Sequence, residues 1–244
     1  WAYERREVTQ EQLRASLDAC GPEIVGLSLT MPLKEEILTL VTPRSPVVEL
    51  LHAANTVVRT ADGWTLDNTD PWGVVGALGV LPRPVLSAWI LGAGATARSV
   101  GYALSLQGTS SVTLLVRNLE RAEQTLGVLA GLGLDVSARL YDDLARATLP
   151  DLVVNTVPGS ESFPLPGDMS VLTQKASLFD VVYSPWPSPA ATAWKDSPQP
   201  TVSGIHMLIF QAIRQVRLFV NGDGDQALPD EEKVLQAMRK AVLL

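Results

Sequence analysis

The chain has 244 residues, 46% of them hydrophobic and 18% charged, a composition that excludes intrinsic disorder and allows one large core or two smaller ones. A formal net charge of −7 argues against nucleic acid as a partner, although a local basic pocket can still hold one phosphate. The single cysteine, Cys20, precludes an internal disulfide and fits a reducing cytoplasm, and no apolar run approaches the ~20 residues of a membrane span, so no membrane partner is expected.

In chain order, Thr9-Gln10-Glu11-Gln12 has the spacing of a capping box and predicts a helix to about residue 19, with Leu13 and Leu17 one turn apart. Residues 24–29 are apolar and predict a buried strand. Pro32 suits the first turn of a helix, and Ile37, Leu38 and Val41 supply its buried stripe. Lys34 falls in that first turn, where the helix dipole disfavours a purely structural cation and a proton-transferring one makes sense. Asn68-Thr69-Asp70 closes this part of the chain and offers a carboxylate to hold the lysine.

From Ser87 the texture changes to strands alternating with helices. Strands are predicted over residues 87–91, 112–116, 136–140, 151–156 and 178–183, with helices after the first two. Such alternation implies a parallel sheet with right-handed crossovers. A Pro-rich stretch over 185–200 precedes two helices, over 207–220 and 229–242, which do not continue the alternation. They are expected to return to the N-terminal part, the second packing upon it. Two α/β lobes with a cleft between them follow. Residues 1–70 and 205–244 make a smaller substrate-binding, catalytic domain, and residues 71–204 a Rossmann-type doubly wound domain.

The turn after the 87–91 strand carries the strongest signal for a ligand. Gly92-Ala93-Gly94-Ala95-Thr96-Ala97 is G-x-G-x-x-A between a strand and a helix, the context in which that pattern is informative. Gly92 allows a tight turn, Gly94 lets a pyrophosphate approach the backbone, and the helix N-terminus supplies N–H groups. An NAD site needs an acid at the tip of the next strand. This one ends Val116-Arg117-Asn118, with Arg121 one turn on, and two guanidinium groups suit a 2′-phosphate. The predicted cofactor is NADP(H).

Six segments then resemble motifs of the shikimate dehydrogenase family, in order along nearly the whole chain. Gly26 to Lys34 is similar to G-x-N-V-T-x-P-x-K, Ala54-Asn55-Thr56 to A-N-T, and Asn68-Thr69-Asp70-Pro71-Trp72-Gly73 to N-T-D-x-x-G. Val116-Arg117-Asn118 with Arg121 resembles N-R-T-x-x-R/K. Asp180 to Pro185 resembles D-x-x-Y-x-P, and Gly204 to Ala212 resembles G-x-x-M-L-x-x-Q-A. The departures are Ser28 for a usual Asn, Leu66 for a frequent Gly, Ala95 for a second Gly in the turn, and Val116 for the Asn of N-R-T.

The resemblance implies reduction of 3-dehydroshikimate to shikimate by hydride from NADPH. It makes Lys34 the acid/base and Asp70 its partner. It assigns substrate binding to Ser28, Thr30, Asn55, Tyr183 and Gln211. Cofactor binding falls to Gly92, Ala93, Gly94, Ala95, Thr96, Arg117, Asn118 and Arg121, with Val181 and Gly204 flanking the nicotinamide. No metal is implied. The family's S-x-S pair, which binds the substrate carboxylate, and the first strand of its catalytic lobe are expected upstream of Trp1. The readings set beside this one are a quinate or aminoshikimate dehydrogenase and, further off, a non-catalytic metabolite-binding module of the same family. A cytoplasmic monomer or homodimer acting on small molecules is expected.

Overall fold

The computed structural model describes residues 2–144, 147–157 and 169–242. Their contacts separate into two compact units, one containing the chain to Thr69 together with Arg214–Glu231, the other Asp70–Ile213 and the chain from Glu232 on.

In the first unit, α1 (Leu13–Asp18) buries Leu13 and Leu17. Half of the expected capping box forms, with the Thr9 N–H donating to Gln12 Oε1 at 3.0 Å. β1 (Gly26–Ser28), β2 (Thr56–Thr60) and β3 (Gly63–Asp67) make an antiparallel sheet in that order. The register sets Ser28 opposite Thr56 and closes the β2–β3 hairpin at Thr60 and Gly63. α2 (Leu33–Glu36) has only four residues and tightens into a 3-10 turn over Ile37–Thr39. Its buried line is Leu33, Ile37 and Val41, recurring every four residues, whereas Leu38 is half-buried because it stands about 100° further round. α3 (Pro46–Leu51) completes this part. Arg59 on β2 stacks over Trp64 at 3.9 Å and donates to the carbonyls of Ile24, Cys20 and Gly21.

The second unit holds the parallel sheet that the alternation predicts. β4 (Ser87–Leu91), β5 (Ser111–Val116), β6 (Asp135–Leu140), β7 (Leu152–Asn155), β8 (Ser177–Asp180) and β9 (Thr201–Ser203) lie in the order β6-β5-β4-β7-β8-β9. The order reverses between β4 and β7, the doubly wound arrangement that leaves a ligand crevice at the carboxyl ends of those strands. Neighbouring residues of one strand enter opposite cores. Ile90, Leu114, Val154 and Phe179 belong to the core that holds residues of α4 (Asp70–Leu78), α5 (Ala95–Leu106) and α6 (Glu123–Gly131). Trp89, Leu115, Val153 and Leu178 belong to another, with residues of α7 (Ser170–Lys175) and α8 (Pro189–Ala193). Burial on both faces is why these strands read as continuous apolar runs. The sheet has one strand more than expected, since β9 emerges at the end of the Pro-rich stretch.

α9 (Gly204–Asn221) divides between the units at Ile213 and Arg214, and α10 (Glu231–Ala241) groups with the second unit from Glu232 on. This differs from the expectation that residues 205–244 return together to the N-terminal part. The last helix carries a half-buried stripe of Val234, Leu235 and Met238, and Arg239 lies near enough to His206 to help lower its pKa, after burial. No helix among the described residues is long and apolar enough to cross a membrane.

Candidate active site

The Gly-rich turn follows β4 at the reversal of strand order. Its Gly92 N–H donates to the Leu115 carbonyl at 2.9 Å, which ties the turn to β5. Gly92 has φ +100°, and a Cβ there would stand 2.8 Å from Thr156 Oγ1. Thr156 donates both its hydroxyl, at 2.6 Å, and its N–H, at 3.0 Å, to the Leu91 carbonyl. The buried Thr125 of α6 donates its hydroxyl to the Ala93 carbonyl at 2.7 Å. Three neighbouring elements therefore hold this backbone in place.

Gly94 is different. It opens α5 in extended geometry, φ −91° and ψ −170°, and a Cβ built there meets nothing within 4 Å. Protein packing does not demand a glycine here. The space beside it adjoins the first turn of a twelve-residue helix, whose opening N–H groups have no partner within the helix. Ala95 and Thr96 belong to that turn. This cradle fits the pyrophosphate of a dinucleotide.

Arg117, Asn118 and Arg121 are exposed just beyond β5. Asn118 Oδ1 accepts the Glu120 N–H at 2.9 Å and so opens a 3-10 turn over Glu120–Ala122 that carries Arg121. Its side chain shapes the loop that presents the two arginines. Burial pushes the Tyr141 hydroxyl pKa up, and the charge of Arg117 pulls it back down. Two cations there fit a 2′-phosphate. At the far end of the sheet, Gly204 admits no side chain, because a Cβ would fall 1.9 Å from the Val181 carbonyl oxygen. Val181 and Gly204 are thus in direct contact.

In the first unit the end of β1 meets the start of β2. Leu29 N–H donates to the Asn55 carbonyl at 2.7 Å, and Ala54 N–H to the Lys34 carbonyl at 2.8 Å, placing the lysine's backbone beside the Ala-Asn-Thr segment. Asn55 is buried. Its Oδ1 accepts the Thr69 N–H at 2.8 Å and the Thr56 hydroxyl at 2.6 Å, and its Nδ2 donates to Thr69 Oγ1 at 3.0 Å. Ser28 and Thr30 are exposed, and Lys34 is half-buried. The second unit carries the remaining expected residues. Asp70, the first residue of α4, is buried, and Tyr183 is half exposed. Gln211 donates to the Leu208 carbonyl at 2.9 Å, and Gly73 opposite it leaves no room for a Cβ.

Residues 1–57 match the family description "Shikimate dehydrogenase substrate binding domain". The Moorella thermoacetica protein named shikimate dehydrogenase (NADP(+)) is 34% identical over 231 residues, covering 88% of this chain and 76% of that one. The chain belongs to the shikimate dehydrogenase family. Among solved structures, the Mycobacterium tuberculosis shikimate dehydrogenase is 32% identical with a TM-score of 0.82, over 99% of this chain and 88% of its own. Quinate dehydrogenase from Corynebacterium glutamicum, solved in complex with NAD, is 30% identical with a TM-score of 0.80, over 95% and 82%.

Sequence reasoning about this dehydrogenase missed the side chains that hold the site rather than form it. Thr125 and Thr156 are of this kind, and no motif spacing marks them; Thr69 stands inside the N-T-D motif, which does not reveal that it holds Asn55. Gln215 is another, and it had a readable signal, since a polar residue one turn after Gln211 sits on the same helix face.

Proposed function

We propose that this member of the family interconverts 3-dehydroshikimate and shikimate, with Lys34 as the acid/base and Asp70 as its partner. Family membership makes the chain an NADP-dependent oxidoreductase. The observation that carries the finer reading is that both Lys34 and Asp70 stand in family motifs of a chain 34% identical to a relative named for that activity. NADPH supplies the hydride when bound. The chain's own residues do the rest. Gly92 to Thr96 receive the pyrophosphate, Arg117 and Arg121 grip the 2′-phosphate, and Val181 and Gly204 flank the nicotinamide. Thr30, Asn55, Tyr183 and Gln211 hydrogen-bond the substrate ring, joined by Ser28. In the reducing direction the Lys34 ammonium gives its proton to the developing alkoxide, and Asp70 orients the lysine and a substrate hydroxyl.

Steady-state rates with shikimate and with quinate, each with NADP and with NAD, test this reading. A preference for shikimate with NADP is expected. The similarity to the NAD-bound quinate dehydrogenase favours a second reading, quinate oxidation with NAD, which a reversed preference would establish. Arg117→Ala should raise the KM for NADPH about tenfold while barely changing that for NADH. Equal effects on both would remove Arg117 from the 2′-phosphate. We place the enzyme in the cytoplasm as a monomer or homodimer, which light scattering on the purified chain resolves.

A further inference from the structure

Gln215 lies on α9 within the first unit, at 5% exposure, so its amide must be satisfied by protein. Its Nε2 donates to the Asn55 carbonyl at 3.1 Å and to Thr56 Oγ1 at 2.9 Å, and its Oε1 accepts the Ser28 hydroxyl at 2.9 Å. The two ends of a carboxamide look alike by shape and are told apart by their partners. Here the partner decides. A main-chain carbonyl has no proton, so the amino end must face Asn55, and the oxygen end is left facing Ser28. An amide oxygen has no proton either, so Ser28 must donate its only one. Thr56 passes the same polarity onward, taking a proton from Gln215 and giving its own to Asn55 Oδ1 at 2.6 Å.

We propose that Gln215 is a positioning residue that makes the exposed Ser28 hydroxyl an obligate hydrogen-bond acceptor, so that this position takes a proton-bearing ring hydroxyl of the substrate and refuses a carbonyl or carboxylate oxygen. This rests on the reading in which Ser28 faces the substrate. An asparagine, which the family usually carries here, can present either end of its amide, whereas Ser28 under Gln215 presents lone pairs alone. The hydroxyl it meets is one that keeps its proton through the reaction. The oxygen that becomes the ketone is excluded, because a ketone would set acceptor against acceptor. A buried or enclosed acceptor pair with no proton between them is costly.

The test uses shikimate analogues in which each ring hydroxyl that is not oxidised is replaced in turn by fluorine, a group that accepts weakly and cannot donate. For the wild-type enzyme, one of the two analogues should raise KM about tenfold or more over shikimate. In Gln215→Met the Ser28 proton is released and can turn toward the fluorine, so the KM ratio of that analogue to shikimate should fall to within about threefold. Ser28→Ala removes the acceptor and should collapse the same ratio, which keeps the test decisive if Gln215→Met does not fold. A ratio that stays at the wild-type value in Gln215→Met, or in Ser28→Ala if only that variant folds, overturns the inference while shikimate turnover by the wild type leaves the functional reading standing. A wild-type chain that does not oxidise shikimate overturns both.

Discussion

At Lys34 the proposed chemistry asks for a cation that can give up its proton as negative charge develops on the substrate oxygen. Such an interaction exists only in the transition state, so its loss shows in kcat. Lys34→Ala is expected to lower kcat about 100- to 10,000-fold while KM for shikimate changes little. A variant that keeps most of its turnover would take Lys34 out of the mechanism. The same residue shows what spacing alone can reveal. A lysine in a helix's first turn was legible as an anomaly, yet the helix proved to be four residues long, so its dipole is smaller than the pattern suggested. The motif, more than the local field, identifies this position.

Glycines separate packing from ligand binding among the elements. At Gly204 a side chain would collide with the Val181 backbone, where α9 begins against the end of β8. Gly204→Ala should therefore cost about 1–3 kcal/mol of stability, read as a lowered midpoint in denaturant. At Gly94 a methyl group meets no protein atom and the backbone is one that alanine adopts. Gly94→Ala should leave stability within about 0.5 kcal/mol of wild type and raise the KM for NADPH, because the methyl would occupy the approach proposed for the cofactor's pyrophosphate. Equal loss of stability in the two variants would refute this division. Parallel strands with both faces buried were readable from apolar runs. The β2–β3 hairpin was not read, although Asp62-Gly63 is a turn dipeptide that signals one. β9 is three residues long and owes its existence to pairing with β8, which no local sequence pattern encodes.

At the scale of the whole molecule, Glu231 and Asp180 contribute to acid stability with opposite signs. The paired Arg217 guanidinium holds the Glu231 carboxyl below its ordinary 4.5, through hydrogen bonds of 2.7 and 2.5 Å, with both side chains largely covered. That stabilisation is present above pH 4.5 and is lost as pH falls through the lowered folded value. Glu231→Gln should cost about 1–2 kcal/mol at pH 7 and less in acid, measured by urea unfolding. Asp180 behaves in reverse. Burial pushes its carboxyl above its ordinary 3.8, against hydrogen bonds from Ser188, Val182 and Asn155. Its contribution is fully present below pH 3.8 and lost as pH rises through the raised folded value. Asp180→Asn, which stays neutral, should therefore compare more favourably with wild type at pH 7 than at pH 4. The same difference at both values would mean that the folded carboxyl is not raised.

The alternation of strands and helices from β4 to β8, the Gly-rich turn, the arginines beyond β5 and the lysine and aspartate motifs were determined by sequence alone, because each depends on residues close together along the chain. Tertiary structure decided which unit each half of α9 joins, where α10 packs, and which way the Ser28 proton points. Those outcomes depend on partners far apart in sequence, as Gln215 is from Ser28, and hydrogen-bond polarity exists only once such partners meet.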